Sequence, residues 1–304
     1  MLYNKSPMKI SIPLKMFNTK LLRAGFNKTT ATYKNHDVLF KEIGNRLLER
    51  LTLIKGDPKI ILEIGVRDGE CLTQLSNTYK QAKIIATDIA ENRLTSCKAK
   101  HLDNENILFV QQSTDDFAIG ANSVDMVFAN LSVYWANNLS DLFKNLKIIL
   151  KPNGILLFSS FGPDTLRELK QSWKSTSEDT HVMDFMDMHH IGDLLLKTGF
   201  SLPVVDIDRV TLSYKNCVDL LHDLKFSGEK NYLNARKKTL LSTTKFRNMC
   251  QHYQDNFSED KKCLATFEVI YGYAKLPQQS SATKINSNEI RVNVSDIVRK
   301  SGGF

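Results

Sequence analysis

The fold is decided by the stretch Leu62-Glu63-Ile64-Gly65-Val66-Arg67-Asp68-Gly69, which continues a short apolar run and leads into an amphipathic segment. The apolar run predicts a buried β-strand, and the amphipathic segment predicts an α-helix. A glycine-containing turn between a strand and a helix lets backbone amides approach a ligand closely. The stretch therefore predicts a ligand-binding strand–turn–helix unit.

Short β-rich apolar runs keep alternating with amphipathic stretches from about residue 58 onward. This alternation is typical of βα units around a mostly parallel sheet, so we predict an α/β fold with a doubly wound core. The predicted strands are Ile60–Gly65, Lys83–Asp88, Ile107–Gln112, Val124–Asn130, Gly154–Phe161, Val204–Tyr214 and Thr266–Lys275. The predicted helices include Leu139–Leu150, Ile191–Lys197 with Gly199 as a left-handed cap, Asn216–Lys225, and one that begins near Thr165 and Glu168, which have the spacing of a capping box.

The chain is expected to have three parts. These are an N-terminal extension with a cap helix, the domain built around the sheet, and a polar link with a C-terminal segment, at residues 1–57, 58–275 and 276–304. Insertions are expected at about 162–200 and at 227–262, and the second of them is polar and Lys-rich. We expect Gln278–Asn288 to be a mobile link to the terminal piece Ile290–Lys300.

The composition limits the class of protein. No apolar run approaches the roughly 18 residues of a membrane span, so a soluble, cytoplasmic protein is expected. The five cysteines contain no Cys-x-x-Cys pair, which argues against a metal site and a disulfide framework. The net charge of +8 favours an anionic partner, but without a basic run interleaved with aromatics we do not expect nucleic acid. The sequence leaves the oligomeric state open.

Asp88 adds a second ligand-binding feature to the glycine turn. It ends the strand after Gly65 and Gly69, where a carboxylate can accept hydrogen bonds from a ribose diol. Together these positions indicate a cofactor that contains adenosine. The alternative is that the two glycines only shape a tight turn and that Asp88 only caps a helix.

The turn, Asp88 and the block Val124–Leu131 resemble the successive motifs of class I S-adenosylmethionine (SAM) methyltransferases. The resemblance implies a Rossmann-like, mostly parallel seven-stranded sheet with helical insertions, and SAM as methyl donor. It places Glu63 beneath the methionine amino group, Gly65 and Gly69 beside the cofactor, Asp88 at the ribose and Asn130 beside the reacting methyl.

Two positions depart from the family's pattern. Arg67 stands where the family has its middle glycine, and Ser113 stands where the family has an aspartate at the adenine. The Arg67 side chain has three alternatives: it reaches the methionine carboxylate, turns to solvent, or obstructs the pocket. Asp115 or Asp116 either substitutes at the adenine edge or lies in a solvated turn.

A longer resemblance runs from Phe26 to about Lys275, to the malonyl-carrier-protein O-methyltransferases of biotin synthesis. The segments that carry it are Phe26-Asn27-Lys28, Asn130-Leu131 with Trp135, Phe161–Leu169, Phe185–Asp193, Leu212–Tyr214, Asp223–Lys225 and Ala265–Ala274. It implies an enzyme that methylates the free carboxylate of malonyl-acyl carrier protein. This chemistry needs alignment and desolvation more than proton transfer, so His189 and His190 are assigned no proton transfer.

The resemblance also suggests residues for the substrate. Arg167 is expected to grip the malonyl carboxylate through a bidentate contact, and Tyr33 and Trp135 are expected to close the pocket around the methyl donor. The alternative for Arg167 is an exposed residue on the first turn of a helix, and for Tyr33 and Trp135 it is a place in the core. Basic residues suited to docking an acidic carrier are Arg236, Lys237, Lys238, Lys245 and Arg247, unless they only form a solvated face.

Two other functions are compatible with these patterns. Complex I assembly factors resemble the same methyltransferases and modify a protein arginine, and the altered glycine motif keeps this hypothesis open. The other hypothesis is a non-enzymatic binding protein with a degenerate SAM pocket. The segment Glu289–Ser295 resembles the tail of the bacterial biotin enzymes and favours the methyltransferase.

Overall fold

A computed structural model describes residues 15–54, 56–238, 241–278, 283–286 and 289–291 of the chain. Its α-helices are α1 (Thr19–Tyr33), α2 (Val38–Glu49), α3 (Glu70–Thr78), α4 (Glu91–Lys100), α5 (Leu139–Ile149), α6 (Arg167–Lys174), α7 (Met188–Thr198), α8 (Cys217–Ser227) and α9 (Thr243–Asn256). Short 3-10 helices span Arg50–Leu53 and Val133–Trp135. Its strands are β1 (Ile60–Ile64), β2 (Lys83–Asp88), β3 (Ile107–Gln111), β4 (Val124–Ala129), β5 (Leu150–Phe161), β6 (Ser201–Tyr214), β7 (Ser258–Glu259), β8 (Lys262–Lys275), β9 (Thr283–Asn286) and β10 (Glu289–Arg291).

Seven strands form the central sheet in the order β3-β2-β1-β4-β5-β8-β6, and the two-residue strand β7 pairs with β8 at its side. The strands from β3 to β5 are parallel to one another, whereas β8 runs antiparallel to both β5 and β6. The strand order reverses between β1 and β4, and open α/β sheets bind ligands at such a point. The predicted doubly wound, mostly parallel seven-stranded sheet is confirmed.

Both faces of the sheet are covered by apolar side chains. Ile61 of β1 belongs to one buried cluster, which also contains residues of α2 and α3, and its neighbour Leu62 belongs to a second cluster with residues of α5 and α7. Successive side chains of a strand point to opposite faces, so this division is what a sheet with helices on both sides requires. The parallel strands are therefore nearly continuous apolar runs.

The start of α6 differs from the prediction. Thr165 and Glu168 do not form a capping box, because the Thr165 hydroxyl donates to the Glu268 carbonyl and the Glu168 carboxylate accepts from the Thr266 backbone N–H. Residue 166 has a left-handed backbone and precedes the helix. Both side chains instead tie the start of α6 to the strand β8, which the local spacing could not reveal.

The C-terminal half contains more regular structure than predicted. The insertion at 227–262 includes the fourteen-residue helix α9, and β8 begins at Lys262 rather than at Thr266. Strand β9 falls within the predicted link, where it pairs with β10. The predicted piece Ile290–Lys300 lies mostly outside the described residues. None of the helices in the described ranges is long and apolar enough to cross a membrane.

Candidate cofactor and substrate site

The turn after β1 is held in a conformation that requires glycine at its first position. Gly65 has a φ of +79°, and a Cβ there would lie 2.1 Å from the Ser132 hydroxyl oxygen. Its backbone N–H donates to the Thr87 carbonyl at 2.7 Å, which fixes the turn against the end of β2. Gly69, with a φ of +87°, precedes α3. The two glycines therefore let the backbone bend sharply and pass close to whatever the turn holds.

Glu63 of β1 points a carboxyl group into this turn. It is 2% exposed, and its Oε2 has no hydrogen-bond partner among the described residues. Burial, together with the nearby Asp68 and Asp88 carboxylates, raises the pKa of Glu63 to about 8. A buried acceptor without a partner costs free energy, so this position favours a ligand that brings a donor, above all a cationic one.

Asp88 ends β2 on the other side of the turn. Its carboxylate accepts from the backbone N–H of Ala90 at 2.8 Å and from that of Arg67 at 3.2 Å. These bonds hold the carboxylate at the carboxyl end of the sheet, beside the Gln112 side chain, whose Nε2 lacks a partner in the described part of the chain. An acceptor and a free donor thus lie together where a ribose and an attached base would need them.

Arg67 fills the space between Glu63 and Asp88. Its side chain is 6% exposed, one Nη donates to the Leu131 carbonyl, and the other lies 3.3 Å from a Glu229 oxygen. The guanidinium carbon is 4.4 Å from the centroid of the Phe40 ring. The side chain therefore turns inward, and the alternative that it points to solvent is wrong.

Two small cavities remain on either side of Arg67. One, of about 20 Å³, is lined by Glu63, Phe40 and Tyr33; the other, of about 40 Å³, is lined by Asp88 and other residues. Gly65 and Arg67 line both cavities. Sites for cofactor-sized molecules measure about 300–1,000 Å³, so neither cavity alone has room for one. We refer to the two cavities together, with Arg67 lining both, as the cleft.

A larger, apolar cavity of about 280 Å³ adjoins the same residues. Phe40, Trp135 and Glu229 line it, and Phe40 and Trp135 each also line one of the small cavities. The Trp135 indole N–H is buried and has no acceptor within the described ranges. The cavity therefore offers a mostly apolar space with an unused donor at its boundary with the cleft.

Comparison with known proteins shows the family of this chain. A family model described as a methyltransferase domain matches residues 35–203. The chain is 36% identical to the malonyl-[acyl-carrier protein] O-methyltransferase of Gallionella capsiferriformans, over 86% of this chain and 92% of the relative. It is 33% identical to malonyl-[acyl-carrier protein] O-methyltransferase 1 of Coxiella burnetii, over 92% of this chain and 96% of the relative. The chain belongs to the malonyl-[acyl-carrier protein] O-methyltransferase family.

Solved structures support the fold of this methyltransferase. The YcgJ protein from Bacillus subtilis superimposes with a TM-score of 0.56 at 11% identity, over 77% of this chain and 99% of that one. At such low identity the likeness concerns the fold alone. The predicted class I methyltransferase fold is thus confirmed by the topology, by the family model and by this neighbour.

Four of the five residues predicted to bind the cofactor of the methyltransferase line the two small cavities, whereas Gly69 lines neither of them. Glu63, Gly65 and Asn130 line the cavity of about 20 Å³, and Asp88 lines the adjoining one. The amide of Asn130 is already engaged, because its Nδ2 donates to the Phe40 carbonyl at 2.9 Å and its Oδ1 accepts from the Ser159 hydroxyl at 2.8 Å. Asn130 thus connects the end of β4 to α2, and its predicted place beside the methyl stays a prediction.

On the adenine side, Asp115 and Asp116 belong to a turn, as one of the two alternatives has it, and neither lines the cavity that Asp88 lines. Asp115 accepts from the backbone N–H of Asn137 at 2.8 Å and also from the Asn137 side chain, so it stabilises the loop before α5. Ser113 and Asp116 pair with each other across a tight turn. Gln112, which sequence reasoning missed, lines the cavity instead. The sequence did contain a signal, since Gln112 follows strand β3 directly.

The aromatic residues predicted for the substrate are both buried at the cleft. Tyr33 lies between two arginines, with its ring 5.9 Å from the guanidinium carbon of Arg67 and 5.0 Å from that of Arg93. Burial raises the pKa of Tyr33, so its hydroxyl stays protonated. Trp135 packs edge-on against Phe17 and Phe26. Both residues are core aromatics and cavity walls at once, so the two alternatives do not exclude each other.

Arg167 is not brought to these cavities. It begins α6 with an exposed side chain, and its Nε lies 3.3 Å from a Glu168 oxygen. It is absent from the lining of the apolar cavity and of both small ones, as far as the described residues define them. The geometry agrees with the alternative of an exposed residue on the first turn, and the carboxylate clamp stays a prediction without structural support.

No group of three or more histidine, cysteine or acidic side chains that could hold a metal occurs in the described part of the chain. The five cysteines are all free thiols, and four of them are buried. The carboxylate of Asp187 accepts from the backbone N–H groups of His189 and His190, so this pair belongs to the N-terminal cap of α7.

Proposed function

We propose that this protein transfers a methyl group from SAM to the free carboxylate of a malonyl group that acyl carrier protein holds as a thioester. The product is a malonyl methyl ester, which belongs to an early step of biotin synthesis. The proposal rests on the membership of this family over nearly the whole chain. The observation that carries it in the structure is that one apolar cavity and one polar cleft share Phe40 and Trp135 as walls.

The chemistry requires little from the protein. A carboxylic acid has an ordinary pKa of about 4, so the substrate oxygen is an anion at neutral pH and needs no general base. Bound SAM supplies a methyl group already activated by the positive sulfur. One oxygen–carbon bond forms as one carbon–sulfur bond breaks, and the electron pair leaves with the sulfur. Alignment of the two reactants and exclusion of water are then the main contributions of the site.

The polar groups of the cleft fit this cofactor. Glu63 would face its ammonium group, Asp88 its ribose hydroxyls, and Gln112 a polar edge of the base. The Glu63 oxygen and the Gln112 nitrogen are both buried without partners among the described residues, as expected of groups that await a ligand. The available space does not fit the cofactor unless Arg67 moves.

Trp135 would hold the carboxylate that is methylated. This residue lines both the cavity and the cleft, and its buried indole N–H lacks an acceptor in the residues described. A hydrogen bond from a buried N–H to an anion contributes about 1.5–3 kcal/mol, which orients the oxygen and leaves it nucleophilic. The apolar walls would take up the thioester-linked arm behind the carboxylate.

The carrier protein would approach from the side where Lys225 and Lys230 line the cavity. Partial burial and the neighbouring charges of Lys225 and Lys28 lower the pKa of Lys230, which indicates that three cations lie close together. None of the three forms an ion pair in the part of the chain that is described. A phosphodiester at the base of the carrier's arm, or its acidic helix, would neutralise them.

The other basic residues predicted for docking are less free. Lys237 pairs with Asp179 at 3.1 Å, and one Arg236 Nη donates to the Leu233 carbonyl. Lys238, Lys245 and Arg247 stay predictions. The lysines at the cavity are therefore the first candidates for the carrier's arm.

The proposal is tested by incubating the purified protein with SAM and malonyl carrier protein and weighing the carrier by mass spectrometry. A gain of one methyl group per carrier, removed by mild ester hydrolysis, is expected. Acetyl carrier protein is the matched control, because it has the same arm and thioester but no free carboxylate. Equal methylation of both carriers, or of neither, would contradict the proposed substrate.

A further inference from the structure

The ion pair between Arg67 and Glu229 joins residues that line three cavities. Arg67 lines both small cavities of the cleft, and its ionic partner Glu229 lines the apolar cavity. The ion pair is almost fully buried, with side-chain exposures of 6% for Arg67 and 10% for Glu229. The pair therefore separates the Glu63 side of the cleft from the Asp88 side, and both from the space beyond Glu229.

The volumes on either side of Arg67 exclude a cofactor while it stays there. Cavities of about 20 and 40 Å³ have room for one water molecule or a few. A molecule with an adenosine and a methionine part must span both cavities at once to meet Glu63 and Asp88. It can do so only through the volume that the Arg67 side chain fills.

The groups that hold Arg67 are those that attract any cation. They are the Leu131 carbonyl, the Glu229 carboxylate and the face of Phe40. SAM carries a sulfonium and an ammonium, and either would gain from the same carbonyl, carboxylate and ring. Two cations repel each other strongly in a buried site of low effective dielectric, so Arg67 and the cofactor cannot both stay at this point.

We propose that Arg67 is an internal competitor of the cofactor, whose guanidinium takes the place of a cationic group of SAM in the free protein and must leave Leu131 and Glu229 before SAM binds. The inference rests on the proposed function only in taking SAM as the ligand. Only the fraction of the free protein in which Arg67 has left Leu131 and Glu229 can bind SAM. The apparent dissociation constant for SAM is therefore the intrinsic constant divided by that fraction.

The test is to measure the affinity for SAM by calorimetry, in the absence of any substrate. Arg67→Ala removes the competing cation but keeps a Cβ at a position whose φ is 52°, so the backbone preference is close to that of the parent. Arg67→Gly is the second variant, since glycine adopts a positive φ without strain and folds where alanine fails. Arg46→Ala is the control, because Arg46 also forms ion pairs but with Glu42 and Asp208 on the surface.

We expect both Arg67 variants to bind SAM at least about tenfold more tightly than the parent, and Arg46→Ala to bind as the parent does. Unchanged or weaker binding of SAM by the Arg67 variants would overturn the proposal that Arg67 competes with the cofactor. Arg67 would then either have no effect on SAM binding or contribute to it. If the parent methylates malonyl carrier protein in that case, the proposed function still stands. Tighter binding by the variants with no methyl transfer by the parent would support the competitor and contradict the proposed function.

Discussion

Tyr134 donates a hydrogen bond of 2.7 Å to one oxygen of Glu229, whose other oxygen lies 3.3 Å from Arg67. Glu229 is thus held from two sides by residues that follow β4 and β1. Tyr134 also stacks near Phe161 and Phe185, which connects the charged pair to the aromatic wall of the apolar region. Because the carboxylate is buried and has two partners, the same contacts determine both the stability of the folded protein and the shape of the site.

Tyr134→Phe removes one of the two partners of Glu229 and keeps the ring. We expect the free energy of unfolding to fall by about 1–3 kcal/mol, because a buried charged acceptor loses a hydrogen bond. Urea denaturation followed by circular dichroism measures the change. Tyr79→Phe is the matched control, since Tyr79 is only partly buried and its hydroxyl makes no hydrogen bond to the described residues. Equal losses for the two variants would show that the Glu229 contact does not stabilise the fold.

Glu63 should make the stability of the protein depend on pH. Burial raises the pKa of Glu63 to about 8 in the folded state, whereas the unfolded carboxyl group keeps its ordinary pKa of 4.5. The folded state therefore binds a proton more tightly, so the contribution of this group is present below about pH 4.5 and is lost as the pH rises towards 8. The slope reaches at most about 1.4 kcal/mol per pH unit.

Glu63→Gln removes this titration. The free energy of unfolding of the parent should fall from pH 5 to pH 8 relative to that of the variant, so we expect the difference between the two proteins to grow in favour of the variant. Denaturation of both proteins at three pH values gives the difference. Glu70→Gln on the exposed start of α3 is the control, and its difference from the parent should stay constant over this range. A constant difference for Glu63→Gln as well would mean that Glu63 is ionised in the folded protein.

The lysines at the apolar cavity should govern the encounter with the carrier protein. We expect the double variant Lys225→Ala, Lys230→Ala to bind malonyl carrier protein about tenfold more slowly at low ionic strength, and the difference to shrink at high salt. Stopped-flow association measures both rates. The matched control is Lys80→Ala, Lys83→Ala, which removes the same charge from exposed positions beside the opposite end of the sheet. Equal slowing in the two double variants would show that the association rate depends on the net charge of the protein and not on the position of Lys225 and Lys230.

The elements that follow from local patterns could be predicted from the sequence. Strand β2 has the predicted bounds, and the predicted strand-to-helix turn lies at Gly65 and Gly69, because apolar runs and glycines act through their immediate neighbours. The predicted cofactor role of Asp88 follows from its place at a strand end, and that of Glu63 follows from the resemblance of its turn to the methyltransferase motifs; both roles stay predictions. Both residues stand at fixed places relative to strand ends, and parallel strands bring those ends together.

The interior of the site could not be predicted in this way. Arg67 and Glu229 are 162 residues apart in sequence, and Glu229 lies in a segment whose polar composition suggested only a solvated insertion. The inward direction of the Arg67 side chain depends on the Leu131 carbonyl and the Phe40 ring, which belong to two other elements. Long-range partners of this kind leave no periodic signal, and the unusual residue in the glycine turn was the only sign of them.

Trp135 and Arg167 are the two competing candidates for the residue that holds the malonyl carboxylate. Trp135→Phe keeps a buried aromatic ring but removes the unpartnered indole N–H, whereas Arg167→Ala removes a cation that lies exposed beside Glu168. Because Trp135, unlike Arg167, lines both the apolar cavity and the cleft, we expect Trp135→Phe to lower kcat about 10- to 100-fold, which corresponds to the loss of a hydrogen bond to an anion.

Arg167→Ala should keep turnover within about threefold of the parent, and both variants should keep the affinity for SAM, which calorimetry measures alongside the methylation rate. A loss of about a hundredfold for Arg167→Ala with parent-like turnover for Trp135→Phe would reverse the assignment. Such a result would require the exposed Arg167 side chain to turn towards the apolar cavity, which its neighbours Thr165 and Leu166 already line.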